Sequence, residues 1–416
     1  MLLIYVGYMC VVMPPIRRAN TFYMTSEERR ENRYKRRCAK RAEKKKQRMA
    51  SVGTALDVFS FKNMHHYGKK CCNGVRWKQS TQTFEMHLFS RTAAGRKRAL
   101  SGYYKPMRYV HFMLNERGKI RPIDAPYIND RQIQKTLSCE CLFPLYRPSM
   151  IDNNAASIKG EGLAYAQKLL KDDLRKHYKK YGMNGWVIVT DMHHFFPSAD
   201  HEIVKRHHDL ISDIRLKQAA DSVTDSGGKN GKGEPLGVEP SQFEMIFLPT
   251  PMDNHMTCQV GLSGYGHYMD DFYMLIPPDK DPNEVLNIFR EWTKKLKLTM
   301  NEKKTQILKF GKSFRFCKAK YIIKATGKII EKGSTATIYR CIRKLKTLKE
   351  QIGKRKATYE DVRCSINSTL SYYGNYDDHA KVLRVKRTFY ALFGFNCTNL
   401  LEYRRRDNEL YMLQAV

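Results

Sequence analysis

Apolar and polar positions change period several times along the chain, and each change marks an expected element. Residues 24–48, MTSEERRENRYKRRCAKRAEKKKQR, carry no Pro or Gly and twelve basic against four acidic side chains. That composition predicts a solvated helix able to lie along phosphates. Within residues 75–118, VRWKQSTQTFEMHL has helical spacing. YKPMRYVHFMLNERGK then alternates through Tyr109, His111 and Met113, and the chain resumes as IRPIDAP after Glu116-Arg117-Gly118-Lys119. This predicts a hairpin with a basic tip. Segments 127–146 and 161–182 read as helices, the second rich in Lys and closed by Gly182. GWVIVTD is a short buried strand ending in an aspartate, and HHFFPSADHEIVKRHH begins a helix after it.

SGGKNGKGEPLG, residues 226–237, is by composition the most flexible loop. A helix follows from Gln242. GYGHYMDDFYMLIPP, 264–278, predicts two apolar strands joined by a turn that carries Asp270 and Asp271. EVLNIFREWTKKLKLTMN predicts an amphipathic helix, 313–332 short strands, and the basic pattern from Thr335 through Phe395 further helices. Helices and strands mix without βαβ regularity, so the expected fold class is α+β.

Charge narrows the partners. Seventy-five Lys and Arg against 41 Asp and Glu, a net +34, point to polyphosphate backbones. No basic helix with a clean apolar face speaks for a membrane surface. The opening MLLIYVGYMCVVMPP is too short to span a bilayer and lacks both a basic n-region and a small-residue cleavage site. It reads as an extension upstream of a start at Met24. Eleven cysteines, with only Cys71-Cys72 and Cys139-x-Cys141 close together, show no zinc spacing and suggest reduced thiols in a cytoplasmic protein.

Candidate chemistry comes from three carboxylates. Asp191 ends one apolar strand, while Asp270 and Asp271 sit at a turn between two others. The plain reading of an Asp-Asp pair is an acidic hairpin tip. If the strands pair in one antiparallel sheet, however, the three groups converge at one edge. Carboxylate oxygens suit Mg²⁺, which keeps substrate phosphates as further ligands. Two such ions can activate a 3′-hydroxyl and stabilise leaving pyrophosphate.

In this order, YMDD and the Asp191 strand some eighty residues earlier resemble the centre of a reverse transcriptase, and the resemblance runs over roughly residues 105–395. KIRPIDAPYINDRQIQKTL (119–137) and NNAASIKGEGLAYAQKLL (153–170) resemble the two fingers motifs of bacterial enzymes of this class. DMHHFFPSADH (191–201) resembles the motif with the first catalytic aspartate, and PLGVEPSQ (235–242) the motif that follows. MNEKKTQI (300–307) resembles the lysine-bearing motif and FRFCKAKY (314–321) the primer grip. The resemblance implies a right-hand polymerase with fingers, palm and helical thumb plus a basic helical N-terminal extension. Its regions would be 1–104 extension, 105–185 fingers, 186–312 palm with a fingers insertion, and 313–416 primer grip and thumb.

It also implies roles. Asp191, Asp270 and Asp271 would be catalytic and, with the Met192 carbonyl, would hold two Mg²⁺ ions, with Mn²⁺ able to substitute. Lys119 and Arg121 would hold the triphosphate, and Phe196 would gate against a 2′-hydroxyl. Lys304 would stand near the pyrophosphate, and Leu236, Gly237 and Gln242 would line the nucleotide site. Pro235-Leu236-Gly237 departs from the Pro-Gln-Gly of retroviral-type enzymes, and Ser241 precedes Gln242 where intron-type enzymes carry Pro. Gly-x-x-x-Ser-Gln is shared with diversity-generating retroelement enzymes and with the so-called unknown-group bacterial enzymes, many of them antiphage. The N-terminal helix, VRWKQS and SYYGNYDDHAKVLRVKRTFYALF favour the defence-associated group, type 2 branch. Expected partners are a structured non-coding RNA template, its cDNA product and dNTPs, with a second copy of the chain a further candidate and no membrane. A mutagenic retroelement enzyme and an inactive RNA-binding scaffold are the alternatives.

Overall fold

The computed structural model describes residues 25–116 and 119–398, and falls into two compact units, 1–51 and 52–416. The N-terminal extension read from the apolar stretch before Met24, and the tip residues Arg117 and Gly118, lie outside the described residues. In the first unit, Ser26–Ser51 is one helix with no buried residue. Thr25 caps it, its hydroxyl accepting from the Glu28 amide at 3.2 Å while its own amide donates to Glu28 Oε2 at 2.7 Å. With no residue fully buried, capping and pairs such as Lys35–Glu31 at 2.8 Å contribute to holding it.

The second unit is mixed helix and antiparallel sheet. β1 (Val110–Glu116) and β2 (Lys119–Ala125) form the expected hairpin. β3 (Trp186–Asp191), β4 (Gly264–Tyr268), β5 (Asp271–Ile276) and β6 (Gln306–Lys309) form a sheet in the order β4-β5-β3-β6. The period of two decides what covers each face. Ile188, Phe272, Met274 and Ile276 point into one core with the helices His201–His207, Glu239–Phe247, Thr250–Cys258 and Pro282–Lys295. Val187, Val189, Tyr273 and Leu275 point into another, built with helix Leu163–Tyr181. Apolar residues on both faces explain why β3 reads as a continuous hydrophobic run rather than an alternating one.

The second core also takes in a three-stranded sheet of β7 (Phe314–Phe316), β8 (Ala319–Ile323) and β9 (Ile329–Lys332). Beyond it, helices Thr335–Gly353, Tyr359–Gly374 and His379–Phe393 close around Ile338, Leu345, Val362, Ile366 and Phe389. The helices between Ala55 and Leu100 dock on helix Ile128–Leu137 through buried Gln132, whose Nε2 donates to the Met64 carbonyl at 2.8 Å and Thr92 Oγ1 at 2.9 Å. Gly68 makes room for it, since a Cβ there would stand 2.7 Å from Gln132 Nε2.

The expected loop at 226–237 is present, and backbone hydrogen bonds tie it to the chain around the helix His201–His207. Gly231 O accepts from His201 N at 3.0 Å, Gly233 N donates to Ala199 O at 2.7 Å, and Glu234 N donates to Phe196 O at 3.0 Å. Glycine permits this fold-back: a Cβ at Gly228 would lie 1.7 Å from the Lys232 carbonyl. The stretch is a pinned turn, since its glycines are used for close approach and not for freedom. All ten described cysteines are free. No described helix is long and apolar enough to cross a membrane.

Candidate active site

The sheet brings the predicted aspartates to one edge. β3 and β5 are antiparallel neighbours with Asp191 opposite Asp271, and β4 joins β5 through a two-residue turn of Met269 and Asp270. Met269 takes φ +55° in that turn. A side chain there is strained by about 1–3 kcal/mol and persists only where the surroundings hold it. The Asp270 carbonyl accepts from Met192 N at 3.0 Å, which ties the turn to the chain leaving β3.

Segment 300–305 folds over the end of β3. Asn301 N donates to Asp191 O at 2.8 Å, His193 N donates to Thr299 O at 2.7 Å, and the Thr190 and Thr305 hydroxyls meet at 2.8 Å. These bonds do not use the Met192 carbonyl. They place Lys304, an exposed side chain, against the Asp191 carboxylate. That contact, together with the nearby Asp271 and Asp270 charges, raises the Lys304 pKa above its ordinary value. Burial raises the Asp270 carboxyl, its neighbour Asp191 adds to this, and Lys304 and Arg121 oppose it. Arg121 on β2 therefore acts on the same edge.

The remaining predicted residues sort by position. Lys119 opens β2 opposite Glu116. Phe196 is half-buried in the short helix Phe195–Ser198 and packs on the first core, its ring edge-on to Phe195 at 6.1 Å. Leu236 O accepts from Asp124 N at 2.8 Å, which joins the Pro-Leu-Gly stretch to the strand bearing Arg121. Gly237 permits that approach with φ +116°, where a Cβ would lie 2.9 Å from Ile123 Cγ2. Gln242 Oε1 accepts from Ser157 Oγ at 3.5 Å. A cavity of about 320 Å³ is lined by Asp191, Asp271, Lys304, Arg315 and Lys318 among others.

The donor set at this edge is all oxygen, which fits a hard divalent cation. As the side chains stand, no three or more His, Cys, Asp or Glu among the described residues form a ready metal-holding group, and Lys304 occupies Asp191. The three carboxylates share one edge, as expected from strand pairing in one antiparallel sheet, and the Lys304 ammonium sits on one of them. Sequence reading passes over the residues behind the turn. Buried His267, Asp253 and Tyr265 form one hydrogen-bonded chain, and Asn153 Nδ2 bonds Asp173 Oδ2 at 2.6 Å and the Tyr273 hydroxyl at 2.8 Å. Their only signal is a histidine and an asparagine inside otherwise apolar or small-residue runs.

No curated protein sequence matches the chain. Residues 105–329, more than half of the 416, match the family described as reverse transcriptase (RNA-dependent DNA polymerase), and this match spans β1 through the start of β9. The chain belongs to the reverse transcriptase family and is an RNA-directed DNA polymerase, a nucleotidyltransferase.

Proposed function

We propose that the chain copies a dedicated structured non-coding RNA into cDNA in the cytoplasm of a bacterium, as part of an antiphage system encoded by the host or by a phage. The four-stranded sheet would be the palm, the β1–β2 hairpin with its adjoining helices the fingers, and the last three helices the thumb. The observation that supports RNA binding is helix Ser26–Ser51, a strongly basic element with no buried residue, outside the matched residues. Basic surface of that kind attracts any phosphate backbone, and stem-loop shape with unpaired bases would supply the choice of RNA.

For the chemistry, Asp191 and Asp270 would be the principal metal ligands, with Asp271 and the Met192 carbonyl beside them. Bound Mg²⁺ ions would activate the primer 3′-hydroxyl and take up charge on the departing pyrophosphate. Lys119 and Arg121 would hold the triphosphate, Arg through its forked donors and Lys as a compact charge. Leu236, Gly237 and Gln242 would shape the nucleotide site, Phe196 would exclude a 2′-hydroxyl, and Lys304 would stand by the pyrophosphate. Gly237-x-x-x-Ser241-Gln242 keeps the diversity-generating retroelement as a second reading.

Sequencing the RNA that co-purifies with the chain tests both. One structured RNA species, bound more tightly than a scrambled RNA of equal length, supports the first reading. Transcripts of a variable repeat pair support the second. Equal binding of cognate and scrambled RNA at every salt concentration removes the dedicated template.

A further inference from the structure

The turn that carries Asp270 is held from behind by a buried histidine. His267 on β4 is fully buried and directs Nδ1 at the Met269 carbonyl, 3.2 Å away. The Met269 carbonyl and the Asp253 carboxylate both only accept, so both contacts are hydrogen bonds when the ring carries a proton on each nitrogen, Nδ1–H donating to Met269 and Nε2–H to Asp253. Nε2 lies 3.1 Å from Oδ2 of Asp253, also fully buried, and Asp253 Oδ1 accepts the Tyr265 hydroxyl at 2.8 Å. The ring stacks on Phe272 with centroids 4.6 Å apart, and the His267 amide donates to the Asn153 carbonyl at 3.0 Å. The imidazole is thus fixed at both nitrogens, on a ring face and at its backbone.

We propose that His267 is a positioning residue for nucleotidyl transfer. Its Nδ1–H clamps the Met269 carbonyl and so keeps the strained turn from relaxing, which holds the Asp270 carboxylate beside Asp191. The inference rests on reading Asp270 as a metal ligand. With φ +55° at Met269, the peptide unit between Met269 and Asp270 is the part of the hairpin with most to gain by rotating. Such a rotation would swing the Asp270 side chain off the edge. Two bonds oppose it at successive carbonyls: His267 Nδ1 on Met269 O, and Met192 N at 3.0 Å on Asp270 O. One comes from the hairpin itself and the other from the chain leaving the Asp191 strand. Asp253 in turn keeps the ring aimed, a buried hydrogen-bonded support of the kind that makes a site rigid.

Two substitutions separate the nitrogens. His267→Asn keeps an amide N–H where Nδ1 stood and gives up Asp253. His267→Gln reaches toward Asp253 and gives up Met269. Single-nucleotide extension of a primed RNA is measured for both, together with hydrogen exchange of the 264–276 hairpin without metal. In His267→Gln, kcat should fall on the order of tenfold to a hundredfold, as a misplaced reacting group costs. Its KM for dNTP should stay within about twofold, because substrate contacts are untouched. The turn amides should exchange faster, and His267→Asn should restore both kcat and slow exchange. Equal loss in the two variants, or wild-type kcat in His267→Gln, overturns the clamp. Should neither variant fold, ¹⁵N NMR of the wild-type ring decides: a proton on Nδ1 supports the clamp, and a bare Nδ1 overturns it. Asp270→Asn, run alongside, keeps the two readings apart. Full extension in that variant removes the metal-ligand reading, whereas a clamp failure leaves Asp270→Asn inert.

Discussion

The ammonium of Lys304 and the carboxylate of Asp191, 113 residues apart in the chain, form an ion pair at the edge of the four-stranded sheet. An ammonium and a divalent cation compete for the same oxygens there. Lys304→Gln should therefore raise the affinity of the unliganded protein for Mn²⁺, by up to about fivefold, since a part-exposed pair contributes about 0–1 kcal/mol. Extension should slow, because on the proposed reading a lysine freed when Asp191 binds metal would meet the pyrophosphate. Mn²⁺ titration by electron paramagnetic resonance and a primer-extension assay check the two halves.

Asp270→Asn keeps the shape of the turn and removes its charge. Primer extension with Mg²⁺ should fall by orders of magnitude while the protein still folds, because Asp270 is a partly buried turn residue outside the apolar cores. Retained extension would falsify the metal assignment.

Phe196→Ala should admit ribonucleotides. On the proposed reading the ring would reject a 2′-hydroxyl by bulk, so shortening it should raise ribonucleotide incorporation relative to deoxynucleotide with little change in RNA affinity. Competition between the two substrates in one extension reaction reads the ratio. An unchanged ratio assigns Phe196 to packing on the first core.

Gly237→Ala should weaken nucleotide binding through the backbone. At φ +116° an added Cβ is strained and stands 3.1 Å from the Asp124 carbonyl, on the strand that bears Arg121. The strain is about 1–3 kcal/mol, and relief of it pushes β2 away from the site. KM for dNTP should rise about tenfold, more than kcat changes, in steady-state extension.

A buried charge cluster sets the pH dependence of stability. Burial would lower His208, but Glu244 and Asp221 outweigh it and lift its pKa to about 10 from 6.5. Burial would raise Glu244, but His208 and His207 bring it to about 2 from 4.5. These shifts are two sides of one interaction. The histidine contribution is complete below its unfolded value of 6.5 and is lost as pH rises toward 10. The glutamate contribution is complete above 4.5 and is lost as pH falls toward 2, so both are full between 4.5 and 6.5. Glu234 behaves oppositely to Glu244: burial and then the Glu244 charge raise it, with Ser241 and Thr224 opposing, so it disfavours the folded state as pH rises. Glu234→Gln should raise Tm at pH 8, by about 1 °C per kcal/mol in a chain this large, and change little at pH 4.5. Calorimetric scans at the two pH values check it.

The sequence by itself determined the elements that a short window can encode. The alternation before Glu116, the apolar run ending at Asp191 and the apolar flanks of Asp270–Asp271 each specify a strand through side chains two residues apart. The helix Ser26–Ser51 and its charge were equally legible, because a helix that buries nothing depends on no distant partner. Tertiary structure decided what those windows do not contain. Composition marks 226–237 as loose, yet which backbone its glycines approach depends on helix His201–His207 and on Phe196 arriving from elsewhere. The register of β3 on β5 sets Asp191 opposite Asp271, and the fold of 300–305 over β3 delivers Lys304 to Asp191. Neither follows from local periodicity, because a strand pattern states which face is buried and not which strand lies beside it. His267 shows the limit most clearly. In the sequence it interrupts an apolar strand, and only burial against Asp253 and the bend of the turn back toward it give its two nitrogens their partners.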